Sequence, residues 1–369
     1  MRLDRLRLEN FRNYTDSVCA FDPGVNLILG ENAQGKTNLL EAIHYLAMGK
    51  AFRTRKEVEL IRFGAEFAQL EGQVTGQERE HTLKTVLFSG RRSRQIFLNG
   101  VKKKNQAELS GVLTTILFCP EDLLVLKSGA AMRRRFLDQG LGVLRPRYDT
   151  ALAEYNHILD SKSRILRDRF AEPSLLQVLP EYSRRLCQVG AILISYRARY
   201  LQALGEEATR FHRAFSGGRE QLEIPYKTVS TVDDPLAPIA LLEDQLLEHL
   251  SCHERAELES AQCLTGPHKD DFDAVLDGLS LKSFGSQGQT RTAAISLKLA
   301  QRELVKRELE EEPVLLLDDV LSELDPGRQD FVLNQIQSGQ VFITCCEPER
   351  LTRMGRVIHI RHGNICQGQ

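Results

Sequence analysis

No stretch of this sequence is apolar for long enough to span a membrane. The first seven residues, Met1-Arg2-Leu3-Asp4-Arg5-Leu6-Arg7, are charged where a secretory leader would carry an apolar region. Eight cysteines occur without a single C-x-x-C pair, and several sit in apolar company, as Cys119 and Cys345-Cys346 do. That excludes a zinc or disulfide framework and reads as reduced thiols. Heptads are not sustained long enough for an extended coiled coil, and no internal repeat is visible. Net charge is nearly absent, at −1. What remains is the expectation of a cytoplasmic globular protein of 369 residues, one large domain or two ordinary ones, with 42% hydrophobic residues to build a core.

The balanced charge hides an asymmetry. Residues 1–200 hold 32 Lys and Arg against 22 Asp and Glu, a surplus of +10 that the remainder cancels with −11. A basic front half points to a polyanion partner, although two ordinary solvated faces would give the same counts.

The chain is organised around Val25–Leu29, a short apolar run rich in β-formers, followed without a gap by Gly30-Glu31-Asn32-Ala33-Gln34-Gly35-Lys36-Thr37. This matches G-x-x-x-x-G-K-[ST], and Asn38–Met48 behind it carries apolar residues at helical spacing up to Gly49. The glycines let backbone N–H groups turn inward around a phosphate, and the helix N-terminus adds its positive dipole end. Lys36 can reach the β- and γ-phosphates and Thr37 can hold Mg²⁺. The alternative, a chance glycine turn, lacks any reason for the strand and helix on either side.

Before and after this loop the pattern is strand-rich. Leu3-Leu6-Leu8, Val18–Phe21, Ala68–Val74, Glu80–Phe88, Arg94–Leu98 and Thr114–Phe118 read as strands, with Asn99-Gly100 a hairpin turn. From Glu121 to about Ala261 the pattern is mainly helical: Leu123–Leu126, Ala131–Leu144, Arg147–Arg169, Leu175–Gly205 and Leu241–Gln262, interrupted by strand character at Gln221–Val229. The α/β character then returns. Phe272–Leu276 and Leu279–Ser283 flank an Asp277-Gly278 turn, a helix covers Thr290–Glu311, and Val314–Asp319, Val341–Thr344 and Val357–Ile360 are strands. The expected domains are 1–120, 121–262 and 263–369, the first and last forming one α/β lobe.

Asp318 and Asp319 end an apolar strand. Asp318 can hold Mg²⁺ opposite Thr37, and Asp319 can orient or deprotonate an attacking water. A polar strand end capping a turn is the plainer reading of the pair alone. Ser322–Asp325 then borders a subunit contact or simply caps the next helix. Ser286-Gln287-Gly288-Gln289 opens a helix and can bind an anion, or is an ordinary N-cap. Two phosphate cradles do not serve one nucleotide economically within one chain, so a symmetric dimer with this loop acting on the partner's γ-phosphate is the expectation. Arg53, Arg55, Lys56, Arg91, Arg92, Arg94, Lys102, Lys103 and Lys104 are candidate contacts to the phosphates of that polyanion, each equally readable as solvated surface.

These motifs resemble the ABC-type ATPase head shared with the SMC proteins, with Ser286–Gln289 as signature loop and Val314–Asp319 as Walker B strand. Leu8–Tyr14, Pro120–Leu123 with Arg133–Asp138, and Gly266-Pro267-His268-Lys269-Asp270-Asp271 are similar to the RecF family of bacterial recombination mediators, end to end along the chain. The resemblance implies an α/β P-loop ATPase head (lobe I) with an inserted, mainly helical lobe II. It implies ATP and Mg²⁺, ATP-dependent dimerisation, and slow DNA-stimulated hydrolysis. It also implies action with RecR and RecO in loading recombinase at single-strand gaps and duplex–single-strand junctions. Asp319 stands where ABC heads usually have glutamate, Cys345 where many have histidine, and Leu117-Phe118-Cys119 lacks the glutamine of the glutamine loop. Other classes compatible with a P-loop are a transporter-type nucleotide-binding subunit, a small-molecule kinase and an ATP-binding scaffold.

Overall fold

The computed structural model describes residues 1–54, 56–76, 79–336, 338–345 and 355–367. Two compact units emerge, one of residues 1–122 with 301–369 and one of residues 123–300.

In chain order, the first unit opens with β1 (Arg2–Phe11), β2 (Tyr14–Ala20), β3 (Val25–Leu29), α1 (Lys36–Met48), β4 (Phe67–Gly76), β5 (Arg79–Phe88), β6 (Gln95–Leu98), β7 (Val101–Lys103) and β8 (Thr115–Phe118). A 3₁₀ turn at Pro120–Leu124 leads into the second unit. That unit holds α2 (Ala130–Leu144), α3 (Pro146–Asp168), α4 (Leu179–Ser216), β9 (Leu222–Glu223), β10 (Tyr226–Lys227), α5 (Ile239–Ser260), β11 (Asp271–Phe272), β12 (Val275–Leu276), β13 (Leu279–Ser280) and the one-turn α6 (Leu281–Phe284). The chain boundary at 300 falls inside α7 (Gln287–Leu309), later than the change of pattern at 262–263. The first unit is completed by β14 (Val314–Asp318), α8 (Pro326–Gln335), β15 (Val341–Cys345), β16 (Arg356–Arg361) and β17 (Asn364–Gln367).

Two six-stranded sheets build the first unit. One runs β2-β1-β4-β5-β6-β7 and is antiparallel throughout; the other runs β17-β16-β3-β15-β14-β8 and is parallel except for β17. Parallel strands covered on both faces are apolar without alternation, and β14 and β15 are buried at every position. In β1 the buried Leu3, Leu6 and Leu8 are out of phase for a regular strand. A register shift between Leu3 and Arg5 flips the phase and turns all three inward. The core joins these leucines to Leu39, Leu40 and Ile43 of α1 and to Leu316 and Phe342 of the parallel sheet.

In the second unit α4 is a single helix of 38 residues, running to Ser216 where the sequence pattern predicts an end at Gly205. Gly205 lies mid-helix beside Ile224, where a Cβ would make only ordinary contact; the helix ends at Gly217, whose φ of 62° only glycine adopts easily. Residues 175–177, expected as helix, belong to a separate 3₁₀ turn, Pro173–Gln177, with Val178 between it and α4, and Pro180 sits in the first turn of α4. Leu279–Ser283, expected as a strand, is strand only for two residues before turning into α6.

Candidate functional site

The phosphate loop lies between β3 and α1, as its strand–loop–helix pattern requires. Gly30 passes so close to β16 that a Cβ would stand 2.6 Å from the Ile360 carbonyl oxygen. Gly35 has φ 118° and faces the Asn13 side chain, where a Cβ would meet Nδ2 at 2.6 Å. Both glycines of the motif are therefore fixed by neighbours as well as by the turn.

The neighbour of Gly35 comes from the β1–β2 turn. Asn13 Nδ2 donates to the Gln34 carbonyl (2.9 Å), Asn13 Oδ1 accepts from Asn38 Nδ2 (2.9 Å), and the buried Tyr14 hydroxyl donates to the Gly35 carbonyl (2.9 Å). Arg12 Nε donates to Glu41 of α1 (2.8 Å), a carboxylate with no exposed surface. From the far end of the chain, the Gly363 N–H donates to the Gln34 carbonyl (3.0 Å) and the His362 N–H to the Gln34 side chain (2.6 Å). In the sequence Leu8–Tyr14 carries part of the family resemblance but no stated role; its buttressing of the loop appears once the strands are paired.

The carboxylates complete the site. Thr37 Oγ1 and Thr344 Oγ1 both donate to Asp318 Oδ1, each at 3.0 Å, joining α1, β14 and β15 at one oxygen. Burial holds the Asp318 carboxyl above its usual range, with these hydroxyls pulling the other way and Asp319 adding to the rise. An oxygen donor set of this kind, one hydroxyl and one carboxylate, suits a hard divalent cation. Asp319 sits at φ 55°; its N–H donates to Thr344 Oγ1 (2.8 Å), and Ser322 Oγ donates to its carbonyl (2.7 Å) and reaches its carboxylate (3.3 Å). Lys36, buried, donates from Nζ to the carbonyls of Gly30 and Glu31. A cleft of ≈ 1100 Å³ opens over these groups, lined among others by Lys36, Thr37, Arg53, Phe63, Asp319 and Thr344. Phe63 is fully exposed at its wall, an apolar ring beside a polar phosphate loop. Neither Thr344 nor Phe63 carries a motif that would have singled it out.

The other sequence candidates divide. Asp325 caps α8 through the Arg328 N–H (3.1 Å). Cys119 follows β8 directly, its N–H and thiol both turned to Asp122. Arg94 is committed inside the unit, bonding Glu57 (2.6 Å), the Gly49 carbonyl (2.7 Å) and the Tyr45 hydroxyl (3.2 Å). Arg53 lies on the cleft wall and donates to Asn38 (3.1 Å). Arg91, Arg92, Lys102 and Lys104 are exposed, and the pairing of Ile96 with Lys103 folds the lysines back toward the end of β6 where Arg91 and Arg92 enter. Lys56 is exposed; Arg55 lies outside the described residues.

In the second unit, Ser286 and Gln289 form a capping box at the start of α7. The Gln289 N–H donates to Ser286 Oγ (3.2 Å), and the Ser286 N–H donates to Gln289 Oε1 (3.1 Å). Gln287 and Gly288 are the first two residues of α7. The Gly266–Asp271 stretch belongs to a buried polar hub. Arg197 donates to Asp138 (2.9 Å), Asp270 (3.1 Å) and the Pro267 carbonyl (2.7 Å), while Arg133 forks onto Asp271 (2.6 and 2.8 Å). Burial pushes His268 down to about 4; its nitrogens meet the Tyr155 hydroxyl (2.7 Å) and the Cys263 carbonyl (3.0 Å). These residues hold α2, α3 and α4 to the loop, a packing role. Among the described residues no helix is long and apolar enough to cross a membrane, and no cluster of three metal-ligating His, Cys, Asp or Glu occurs.

With this geometry in hand, comparison with known proteins is direct. The model of the RecF/RecN/SMC N terminal domain matches residues 2–367. The DNA replication and repair protein RecF of Bacillus cereus is 37% identical over 99% of this chain and 98% of its own. A solved structure of "the recombination mediator protein RecF-ATP in RecFOR pathway" superposes with a TM-score of 0.90 at 33% identity, covering 100% of this chain and 97% of that one. The SMC head bound to the C-winged helix domain of ScpA shares the fold, with a TM-score of 0.57 at 14% identity.

Proposed function

Since the chain belongs to the RecF family and has the α/β fold of ABC-type ATPase heads, we propose that it is an ATP-switched DNA-binding protein of recombinational repair. The observation that carries the nucleotide part is the shared oxygen of Asp318, which brings Thr37 of the phosphate loop and the end of the neighbouring strand to one point beside a cleft large enough for a nucleoside triphosphate. A relative named with ATP supports the choice of nucleotide.

In this reading the backbone N–H groups of Gly30–Thr37 and the Lys36 ammonium bind the β- and γ-phosphates. Thr37 and Asp318 hold Mg²⁺, which when bound spreads the developing charge. Asp319, held by Ser322, orients the attacking water and takes its proton; its short arm agrees with slow turnover. The Ser286–Gln289 loop closes on the γ-phosphate of a second copy, so that triphosphate joins two protomers and hydrolysis parts them. Arg91, Arg92 and Lys102–Lys104 grip DNA phosphates without reading sequence. RecR and RecO are the partners with which recombinase is loaded at single-strand gaps. A transporter subunit is not favoured, because the whole-length relative named above is a DNA repair protein.

The test is mass in solution with ATP, with ADP and with no nucleotide. A dimer with ATP alone is expected. Lys36→Ala should lose the dimer, and Asp319→Asn should keep it and stay on DNA. Single protomers at saturating ATP, binding DNA equally with and without nucleotide, would sink this reading.

A further inference from the structure

Glu220 stands in the short connection between α4 and β9, far in sequence from every motif. Its carboxylate is shared between two side chains. Oε1 accepts from the Gln289 side-chain amide at 3.2 Å, and Oε2 lies 2.9 Å from His212 Nε2. His212 is fully buried in α4, and its Nδ1 has no hydrogen-bond partner. An N–H orphaned there would be the costlier arrangement, so the proton sits on Nε2 and is donated to Glu220.

Gln289 is the residue that closes the capping box. Its amide oxygen receives the Ser286 N–H and its amide nitrogen is held by Glu220, so both ends of the side chain are tied. A glutamine side chain has several rotamers to lose, and without the second tie the first holds it only at one end. The backbone entering the loop is tied as well, by Lys127 Nζ donating to the carbonyls of Lys282 (3.1 Å) and Gly285 (2.9 Å).

We propose that Glu220 is a positioning residue for the Ser286–Gln289 loop, fixing its capping box through Gln289 in the geometry that meets the nucleotide of a second copy. The proposal rests on the reading of that loop as acting across a dimer. Glu220 touches neither nucleotide nor partner; it acts through Gln289 and is itself steadied by the long helix that carries His212.

The experiment measures two constants for each variant: ATP affinity at concentrations where protomers are separate, and the dimer dissociation constant at saturating ATP by analytical ultracentrifugation. Loss of a hydrogen bond to a charged group is worth about tenfold, and each dimer holds two such loops. Glu220→Ala is therefore expected to weaken the dimer by about a hundredfold, with ATP affinity within about twofold of the parent. Glu220→Gln keeps an acceptor for Gln289 but turns its amide NH2 toward His212 Nε2, so it should return only part of the loss. Ser286→Arg is the reference. If it leaves dimerisation intact, the reading across the dimer falls and the proposal with it. If Ser286→Arg abolishes the dimer while Glu220→Ala does not weaken it, or weakens ATP affinity as much as the dimer, the proposal alone is overturned. Should Glu220→Ala fail to fold, Gln289→Ala cuts the same link from the other side, and an undiminished dimer there overturns the proposal equally.

Discussion

Replacing Arg12 by alanine tests how the phosphate loop is braced. Glu41 has no exposed surface, its Oε2 accepts from Arg12 Nε at 2.8 Å, and its Oε1 has no hydrogen-bond partner. Arg12 also donates to the Glu59 carbonyl (2.8 Å) and is itself one-fifth exposed. Removing one member of a buried pair strands the other, at a cost of about 3–5 kcal/mol. The partial exposure of Arg12 argues for the lower end, about 3 kcal/mol. In a unit the size of residues 1–122 with 301–369, each ~1 kcal/mol moves Tm by about 2–4 °C. Arg12→Ala should therefore lower the first unit's transition by roughly 6–12 °C in calorimetry without nucleotide. Adding Glu41→Leu removes the stranded charge and should recover all but about 1 kcal/mol, while ATP affinity stays low because Arg12 also lines the cleft. A shift below about 2 °C for the single variant, or a double variant no more stable than the single, refutes the reasoning.

Asp318→Asn separates binding from stability. A carboxyl held above its usual range stabilises the fold below the ordinary carboxylate range and loses that contribution as pH rises through the folded value, so at neutral pH the burial of this charge is a net cost. The asparagine variant should match the parent at low pH and melt higher near pH 7, yet lose Mg²⁺-dependent ATP binding; a lower melt at pH 7 contradicts the sign. Reversing charge together at Arg91, Arg92, Lys102 and Lys103 should reduce the salt slope of DNA binding by up to about 3–4 and leave ATP affinity unchanged, and identical DNA affinity at low salt removes these residues from the interface.

What could be read from the sequence follows from what is local. The phosphate loop, its strand and its helix are contiguous, and an apolar strand ending in Asp318 needs no partner to be seen. The expected strands at Ala68–Val74 and Glu80–Phe88 lie within β4 and β5 because one buried face imposes alternation. The braces were not legible. Asn13, Tyr14 and Gly363 reach the loop only after β1 pairs with β2 and β17 folds beside β16, and no spacing rule encodes that. Arg94 shows the opposite difficulty. In the sequence it belongs to a basic run, but Tyr45 and Glu57 come to it from elsewhere and draw it inward. Glycine at 205 read as a stop, although the buried Leu201 and Leu204 before it and Ala208 and Phe211 after it hold the helix on both sides.

The strand that leads into the phosphate loop has as its two sheet neighbours β15 and β16, both supplied more than 300 residues later. Gln34 likewise waits for residues 362 and 363. A ribosome therefore leaves β3 without either sheet neighbour until β15 and β16 have been made. Fragments ending before β15 would hold every letter of the P-loop pattern and no finished cradle, so competence to take up nucleotide reports that the chain has been made through β16 and the turn at 362–363.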